Sequence, residues 1–327
     1  MKNLHKSLIG ISTAALFGFL FLKDIDTNEL VDLFYQIDLV YIVLAIVMFF
    51  FGYACRVERW RVMLKNDNPS LTWKACFSPL FISVAANNIL PFRLGDIIRA
   101  FAFNKHLKIS VSTSITTLLV ERMLDLLMVI TILGIILPYL DGEYSALIGI
   151  GGWGLILIGV IIVAILNFPK VFKPVFRVIT SVLKSISVDV GNKVEEIFNK
   201  IFLALDYVST GSTTVKLILW SAAAWVCEGL VFWLVALAIP TLTNTFAAWL
   251  ALPIGTLATV IPSTPGYIGT FDYFTSEAMT MGGNSKISAT VYALVLHLVI
   301  WIPPTIVGAL CFIFKPIMST SEIRKLS

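Results

Sequence analysis

The sequence predicts an all-α membrane protein, a polytopic helix bundle of about six full spans plus two re-entrant broken helices in inverted repeats. Three observations lead to this prediction. Of the 327 residues, 58% are hydrophobic and only 13% are charged, whereas a soluble domain averages about 25% charged residues. The apolar residues are grouped in long blocks, and a spanning helix needs roughly 20 of them. Two shorter apolar stretches end at prolines, where a helix cannot continue.

Six apolar blocks are long enough to be spans. They cover about 6–22, 37–55, 110–138, 145–168, 215–239 and 288–314. The first block follows Lys2 and Lys6, as in a signal peptide, but no small-residue cleavage site precedes the acidic loop that follows it. We therefore expect an uncleaved first span and a single transmembrane domain over residues 1–327.

The orientation follows from the lysines and arginines of the connecting segments, which mark the cytoplasmic side. Basic residues concentrate in 56–74, in 169–216 and in the tail after 314, whereas the segments 23–38 and 139–144 are acidic. Six spans alternate consistently with this assignment. The sequence thus predicts a protein of the cell inner (cytoplasmic) membrane with both termini in the cytoplasm.

Composition and motifs exclude several classes of function. A net charge of only +4 argues against a general nucleic-acid binder. Cysteine and histidine show no metal-ligand spacing, and all four cysteines lie in apolar segments, which is typical of small buried hydrophobic residues. The chain contains no G-x-x-x-x-G-K-[ST] motif for ATP. We predict no metal and no cofactor, and movement of any cargo down a gradient or coupled to an ion.

The short apolar stretches 75–91 and 247–262 are the features that depart from plain spans. A full crossing by the first would place Arg93 and Arg99 outside, so we expect it to dip in and return. Each stretch ends in Pro-x-x-x-Gly, Pro91 to Gly95 and Pro262 to Gly266. Irregular backbone at membrane depth must be buried in protein or line a wet cavity.

Each broken stretch lies between two full spans. The first unit covers about 37–138 and the second about 215–314, and they enter from opposite sides. This pattern predicts an inverted repeat, an arrangement in which transporters place a site at the repeat interface.

Arginines next to the first break are candidates to hold a lipid phosphate. Arg93 and Arg99, with Asn88 and the nearby Asp96, form this candidate headgroup set. Arginine matches phosphate with a planar fork, and a broken helix leaves backbone N–H groups free. Ordinary anchoring of arginine at the cytoplasmic interface is the alternative.

Charges within the 110–138 block form a second candidate. Glu121, Arg122 and Asp125 lie within two helical turns, where each charge would cost about 2.5–3.5 kcal/mol in lipid. We expect them to face inward. They either lock this helix to the first broken stretch or serve as a headgroup or proton site.

The remaining polar residues carry weaker expectations. Arg56 and Arg59 are interpreted as interfacial anchors, although they stay candidates for the site. Glu228 lies in mid-span without a neutralising neighbour in sequence, which favours a functional or inter-helix role. His297 is expected to be a satisfied core histidine. Asp272 and Glu277 either cap or line the second loop or are solvated outside.

Segment 169–206 has apolar residues at steps of three and four with charges between them. This pattern predicts an amphipathic helix on the cytoplasmic surface that joins the two halves. A helical-hairpin insert is the alternative.

Four motifs in order carry a resemblance to a known family. They are Arg56-x-x-Arg59-Trp60-Arg61, Asn87-Asn88-x-Leu90-Pro91-x-Arg93-x-Gly95-Asp96-x-x-Arg99, Glu121-Arg122-x-x-Asp125 and Pro262-x-x-Pro265-Gly266-x-x-Gly269. Together they resemble the transmembrane region of the lysylphosphatidylglycerol synthase family, also called flippase-like. An acid often follows the family's second loop, and Asp272 stands there in this chain.

The resemblance implies a membrane part that moves an anionic or isoprenoid-linked lipid between leaflets. Full-length synthases add a soluble aminoacyl-transferase domain, for which the sequence given has no room, so we do not expect lysyltransferase activity. Two alternatives remain at this stage. One is a membrane enzyme acting on lipid headgroups or polyprenyl phosphates, with Glu121 and Asp125 as acid and base. The other is a membrane partner that scaffolds a transferase without transporting lipid.

Overall fold

The fold is entirely helical wherever it can be described. A computed structural model describes residues 13, 15–22, 26–90, 93–137, 154, 157–161, 164, 169–208, 211–261 and 265–314, and no β-strand occurs within these ranges. The predicted all-α class is therefore confirmed. The residues outside the described ranges include Pro91, Pro262, the loop 139–144, the basic tail after 314, about half of the block 6–22 and most of the block 145–168.

Among the described residues, eight helices with defined bounds belong to the first part of the chain and to the linker. They are α1 (Thr27–Tyr35), α2 (Leu39–Leu64), α3 (Trp73–Ile89), α4 (Leu94–Ala102), α5 (Asn104–Leu107), α6 (Val111–Ile136), α7 (Pro169–Ile186) and α8 (Val188–Val208). Four α-helices follow: α9 (Gly211–Leu237), α10 (Ala248–Ala258), α11 (Thr270–Met281) and α12 (Lys286–Phe314). Short 3₁₀ turns precede α10 and α11, at Thr245–Ala247 and Pro265–Tyr267.

Side-chain caps fix the starts of the main helices of the first part. The Asp38 carboxylate accepts a hydrogen bond from the Val40 amide at 2.9 Å, and the Ser110 hydroxyl accepts one from the Thr113 amide at 3.1 Å. Such caps satisfy backbone donors that the first turn leaves free. They explain why α2 and α6 begin within two residues of the apolar blocks predicted for them.

Three of the described helices, α2, α9 and α12, are long and apolar enough to cross a membrane by length and composition. Helix α6 also has 26 residues, but its middle carries the three charges of the predicted cluster.

Helix α2 is longer than the sequence indicates. The predicted span ended at residue 55 with a basic loop after it, whereas α2 continues to Leu64 and includes Arg56, Arg59 and Arg61. The expectation of a loop starting at residue 56 is therefore wrong. Partners stabilise this extension, since Arg56 and Arg59 pair with acids on neighbouring helices and Arg61 pairs with Glu58 of α2 itself.

Helices α2 and α9 pack against each other in opposite directions. The Asp38 amide donates to the Ala238 carbonyl at 2.9 Å, and Arg59 near the other end of α2 donates to the Ser221 hydroxyl at 3.0 Å. Between these contacts, Gly52 lies so close that a Cβ there would be 3.1 Å from the Cys227 Cβ. The antiparallel pair places Leu64 and Leu237 at opposite ends.

Each short apolar stretch forms one arm of a helical hairpin. Helix α4 turns back along α3, where the Ser83 hydroxyl donates to the Gly95 carbonyl at 2.8 Å. Helix α11 turns back along α10, where a Cβ on Gly255 would lie 2.5 Å from the Thr275 hydroxyl oxygen. Glycine at these positions lets the two arms approach closely.

The hairpins start from opposite ends of the α2–α9 pair and their tips meet. Helix α3 follows the Leu64 end of α2, and α10 follows the Leu237 end of α9. The first tip contacts the second through Arg93, whose guanidinium donates to the Thr259 hydroxyl at 3.0 Å. This opposed packing is what an inverted arrangement requires, while the repeat boundaries at 37–138 and 215–314 stay a prediction.

The linker forms a hairpin rather than one surface helix. Helices α7 and α8 are separated by Ser187 and face each other, with the rings of Phe176 and Phe198 4.5 Å apart. Lys184 and Glu195 form an ion pair at 2.5 Å. The single amphipathic helix over 169–206 is thus wrong, because its apolar positions on the two arms pack on each other.

Candidate functional site

A polar cavity lies where the two hairpin tips meet the α2–α9 pair. It has two lobes of about 190 and 220 Å³ that share lining residues, among them Arg56, Asn88, Arg93 and Tyr267. We call the first the polar lobe, because Asp96, Arg99 and Glu121 complete it. We call the second the aromatic lobe. Its rings are Phe49, Tyr53, Trp225, Phe232, Tyr267, Phe271 and Trp301.

Arginines outnumber acids around the cavity. The lining arginines are Arg56, Arg59, Arg93, Arg99 and Arg122, and the lining acids are Asp96, Glu121, Asp125 and Glu228. The formal charge of this set is therefore one positive. A cavity of this sign is suited to an anion, provided that one arginine is free of a carboxylate.

Arg99 and Glu121 form the most buried ion pair of the site. Their side chains are 6% and 4% exposed, and the guanidinium also lies 5.0 Å from the centroid of the Trp60 ring. The pair joins α4 to α6. The charge cluster of α6 therefore locks this helix to the first hairpin, which was one of its two predicted roles.

Asp96 serves as an acceptor for several groups at the start of α4. It lies 3.1 Å from an Arg122 nitrogen and 4.0 Å from an Arg99 nitrogen, and it accepts a hydrogen bond from the Asn87 amide at 3.0 Å. The oxygen of the Asn87 side-chain amide in turn accepts from the backbone N–H of Asp96 at 3.1 Å. Asp96 thus holds the arginines and the hairpin in place.

Arg59 and Asp125 join α2 to α6 at 2.8 Å, and Trp225 of α9 donates to the same carboxylate at 3.2 Å. Arg56 pairs with Glu228 at 2.9 Å. Arg56 and Arg59 thus join helices through Glu228 and Asp125, while their interpretation as interfacial anchors stays a prediction.

Arg93 differs from the other arginines of the cavity. It forms no ion pair with any residue that the structure describes. Instead, its Nε donates to the Tyr267 hydroxyl at 2.7 Å and its Nη2 donates to Thr259. Its backbone is left-handed, with φ of 53°, a conformation that is uncommon outside glycine. Arg93 is therefore a cation held at the tip by neutral groups alone.

Asn88 has a positioning role in this structure. Its side-chain nitrogen donates to the Trp301 carbonyl at 3.2 Å and to the Thr305 hydroxyl at 2.8 Å, and its own carbonyl accepts from the Trp301 indole at 3.3 Å. Both amide hydrogens are thus used on α12. Asn88 thus fixes the first tip on α12, and its contact with phosphate stays a prediction.

The second tip is built on residues with positive φ. Gly266 and Gly269 have φ of 71° and 87°, and Tyr267 between them has 61°. A Cβ on Gly266 would lie 2.6 Å from the Trp301 indole nitrogen. Glycine is therefore required there both by conformation and by space, and the turn brings the Tyr267 hydroxyl to Arg93. Pro265 begins this turn.

Asp272 is a buried capping residue. One carboxylate oxygen accepts from the Gly269 amide at 2.9 Å, and the other lies 2.6 Å from Nδ1 of His297. The alternative that Asp272 is solvated outside is therefore wrong. Glu277, the other acid of this helix, is more exposed and pairs with Lys286.

The whole sequence also matches a known family. The model of the lysylphosphatidylglycerol synthase TM region matches residues 7–308. The chain belongs to this family. The family and the apolar helices together make it a membrane protein.

Two archaeal relatives are described as UPF0104 membrane proteins. A UPF0104 membrane protein of Methanothermobacter thermautotrophicus is 28% identical over 146 residues, 42% of this chain and 43% of the relative. A UPF0104 membrane protein of Methanocaldococcus jannaschii is 26% identical over 232 residues, 69% of this chain and 92% of the relative. The first match therefore spans less than half of that relative's length.

Several aromatic residues that build the cavity of this lysylphosphatidylglycerol synthase TM region were not identified from the sequence. Tyr53 and Trp225 hold Arg56 between them, 5.4 and 5.8 Å from the ring centroids. Trp301 fixes both tips. In a chain with 12% aromatic residues, single rings carry no signal. Of these aromatic residues, Tyr267 alone was marked by the sequence, because it stands between the two glycines of a loop that cannot be helical.

Proposed function

We propose that this membrane protein binds the phosphate of an anionic phospholipid or isoprenoid-linked lipid in its central cavity and flips the lipid between leaflets. The observation that carries the proposal is Arg93, a cavity cation that only neutral hydroxyls hold. The membrane would be the cell inner membrane, with both termini in the cytoplasm.

The other four arginines of the cavity have carboxylate partners, which largely neutralise them. A phosphate that met Arg93 would replace two hydrogen bonds to neutral hydroxyls with bonds to an anion, which add charge–charge attraction and can be bidentate. Arg93 therefore supports phosphate binding better than any other residue of the predicted headgroup set.

The aromatic lobe supports an organic headgroup rather than a free inorganic ion. Its rings offer apolar faces beside polar groups, the combination typical of small-molecule sites. The apolar exterior of α2, α9 and α12 would leave the acyl or isoprenoid chains in the bilayer while the headgroup occupies the cavity.

Movement of the lipid would use the opposed hairpins. Arg93 binds Tyr267 and Thr259 across the two tips, so a phosphate that takes Arg93 also releases the contact between the tips. Rocking of the two halves around a fixed site is the usual mode of transporters built from inverted repeats.

Replacing Arg93 by alanine is expected to slow lipid flipping by about tenfold or more, because a hydrogen bond to a charged group contributes about 1.5–3 kcal/mol. The measurement uses proteoliposomes with phosphatidylglycerol labelled on the headgroup side by a fluorophore that dithionite quenches. The rate at which inner-leaflet label becomes accessible reports flipping.

Arg177→Ala is the matched control, since this arginine lies on the exposed linker helix α7 and should leave the rate unchanged. Arg93→Lys should give an intermediate rate, because it keeps the charge and loses the fork. A wild-type rate equal to that of protein-free vesicles would refute flipping of this lipid. Equal rates for wild type and Arg93→Ala would refute the site.

A further inference from the structure

Asp272 and His297 form a buried pair at the edge of the cavity, and the proposed headgroup contacts do not use it. The Asp272 side chain is 5% exposed and that of His297 is 12% exposed. His297 lines the aromatic lobe, and its ring lies edge-on to Phe271 with centroids 5.4 Å apart. The pair joins α11 to α12.

The hydrogen bonds of the pair define which nitrogen carries the proton. One Asp272 oxygen accepts from the Gly269 amide, and the other lies 2.6 Å from Nδ1. An ionised carboxylate can only accept, so with Asp272 ionised Nδ1 donates to it. In the neutral ring this leaves Nε2 with a lone pair. Among the described residues, Nε2 has no hydrogen-bond partner.

The charges around His297 are nearly balanced. The groups of the aromatic lobe that carry or can gain charge are Tyr53, Arg56, Arg93, Arg122, Asp125, Glu228 and Tyr267. With Asp272 added, the three arginines and three acids sum to zero while the imidazole is neutral. A proton on Nε2 therefore converts this lobe from neutral to singly positive.

Other charges on the neighbouring helices do not enter this balance. Glu277 and Lys286, on α11 and α12, pair with each other. Helix α1, which packs on α12, carries Glu29 and Asp32, and neither lines the cavity.

We infer that His297, oriented by Asp272, is a proton-binding site that loads one proton together with each anionic headgroup. Histidine suits this role because its charge changes between pH 5 and 8. The proton binds Nε2 from the cavity, while the Nδ1 proton stays on its bond to Asp272. The inference rests on the proposed headgroup site and adds its coupling ion.

The first test measures binding and proton uptake in one experiment. Glycerophosphoglycerol, a phosphodiester whose single charge is constant over this range, is titrated calorimetrically into the protein in nanodiscs at pH 7, in two buffers of different ionisation enthalpy. Binding of the probe to wild type should be accompanied by net proton uptake. The affinity of wild type should fall about tenfold from pH 6 to pH 8, because the positive charge on His297 that attracts the phosphate is lost over that range.

His297→Gln is the test variant, because glutamine can still donate to Asp272 but cannot ionise. It should bind the probe with no proton uptake and less than a twofold change in affinity between pH 6 and 8. His106→Gln is the control, since His106 is exposed on the short helix α5 away from the cavity. It should behave as wild type.

The outcomes separate the two proposals. No binding of the probe to wild type would contradict the proposed headgroup site for this lipid. Binding without proton uptake, or pH dependence that survives in His297→Gln, would overturn the proton site and leave the headgroup site standing.

A second measurement decides the proton site without any ligand. Nitrogen NMR of protein labelled at histidine, with the His297 signal assigned by its loss in His297→Gln, should show a Nδ1–H ring that titrates between pH 5 and 8. Asp272→Asn should shift that ring towards a mixture of tautomers, which a purely structural role of Asp272 in capping would not do. A His297 signal that is constant from pH 5 to 8 would overturn the inference.

Discussion

Replacing Glu121 by alanine is expected to destabilise the folded protein by about 3–5 kcal/mol, because the change leaves Arg99 buried without its carboxylate. Arg99 is 5% exposed and Glu121 is 3% exposed, so the cation that remains is poorly solvated, with only the polar lobe and the more distant Asp96 beside it. Thermal unfolding in detergent, followed by the reaction of buried cysteines with a fluorogenic thiol probe, measures the loss.

The matched control is Glu277→Ala, which breaks an ion pair whose two side chains are each 35% exposed. Exposed pairs contribute about 0–1 kcal/mol, so this variant should unfold close to wild type. The double variant Arg99→Met with Glu121→Leu should recover much of the loss, because apolar replacements of a buried pair are often neutral. Equal destabilisation by Glu121→Ala and Glu277→Ala would contradict the buried pair.

Replacing Gly95 by alanine is expected to destabilise the first hairpin by about 3 kcal/mol, at the upper end for overpacking. A Cβ there would lie 2.0 Å from the Ser83 carbonyl oxygen and 2.7 Å from the Asn87 amide nitrogen. Both are backbone atoms, so α4 must move away from α3. Because α4 carries Arg99 and follows Arg93, flipping should fall to the level of protein-free vesicles.

Gly134→Ala is the control for this prediction. It is also a glycine within a helix, but a Cβ there meets no atom within 4 Å. Helix propensity alone should make this variant neutral or more stable by up to about 1 kcal/mol. The same unfolding and flipping measurements apply. A Gly95→Ala protein with wild-type rate and stability would show that the two arms are not held as closely as described.

The sequence was informative where the relevant physics is local. Hydrophobic blocks located α2, α6, α9 and α12 to within a few residues, except for the C-terminal end of α2. Proline and glycine marked both hairpin tips, because these residues restrict or free the backbone regardless of their partners. The charge cluster of α6 was recognised because charges within an apolar block are costly.

The pairings within the site were beyond local reasoning. Arg56 and Glu228 are 172 residues apart, and only the antiparallel packing of α2 on α9 brings them together. Asp272 and His297 were each noted separately, yet their contact depends on how α11 docks on α12. The linker was misjudged for the same reason, since an amphipathic stripe does not reveal whether lipid or a second helix covers it.

The long separation between Arg56 and Glu228 also has a consequence for biosynthesis. At about 5–20 residues per second, roughly ten to thirty seconds pass between translation of the arginine and of its acid. During that interval the nascent α2 has inserted with a cation that has no lasting counterion. The charged end of the nascent helix must therefore stay out of the lipid interior, at the translocon or at the bilayer surface, until the second half has been made.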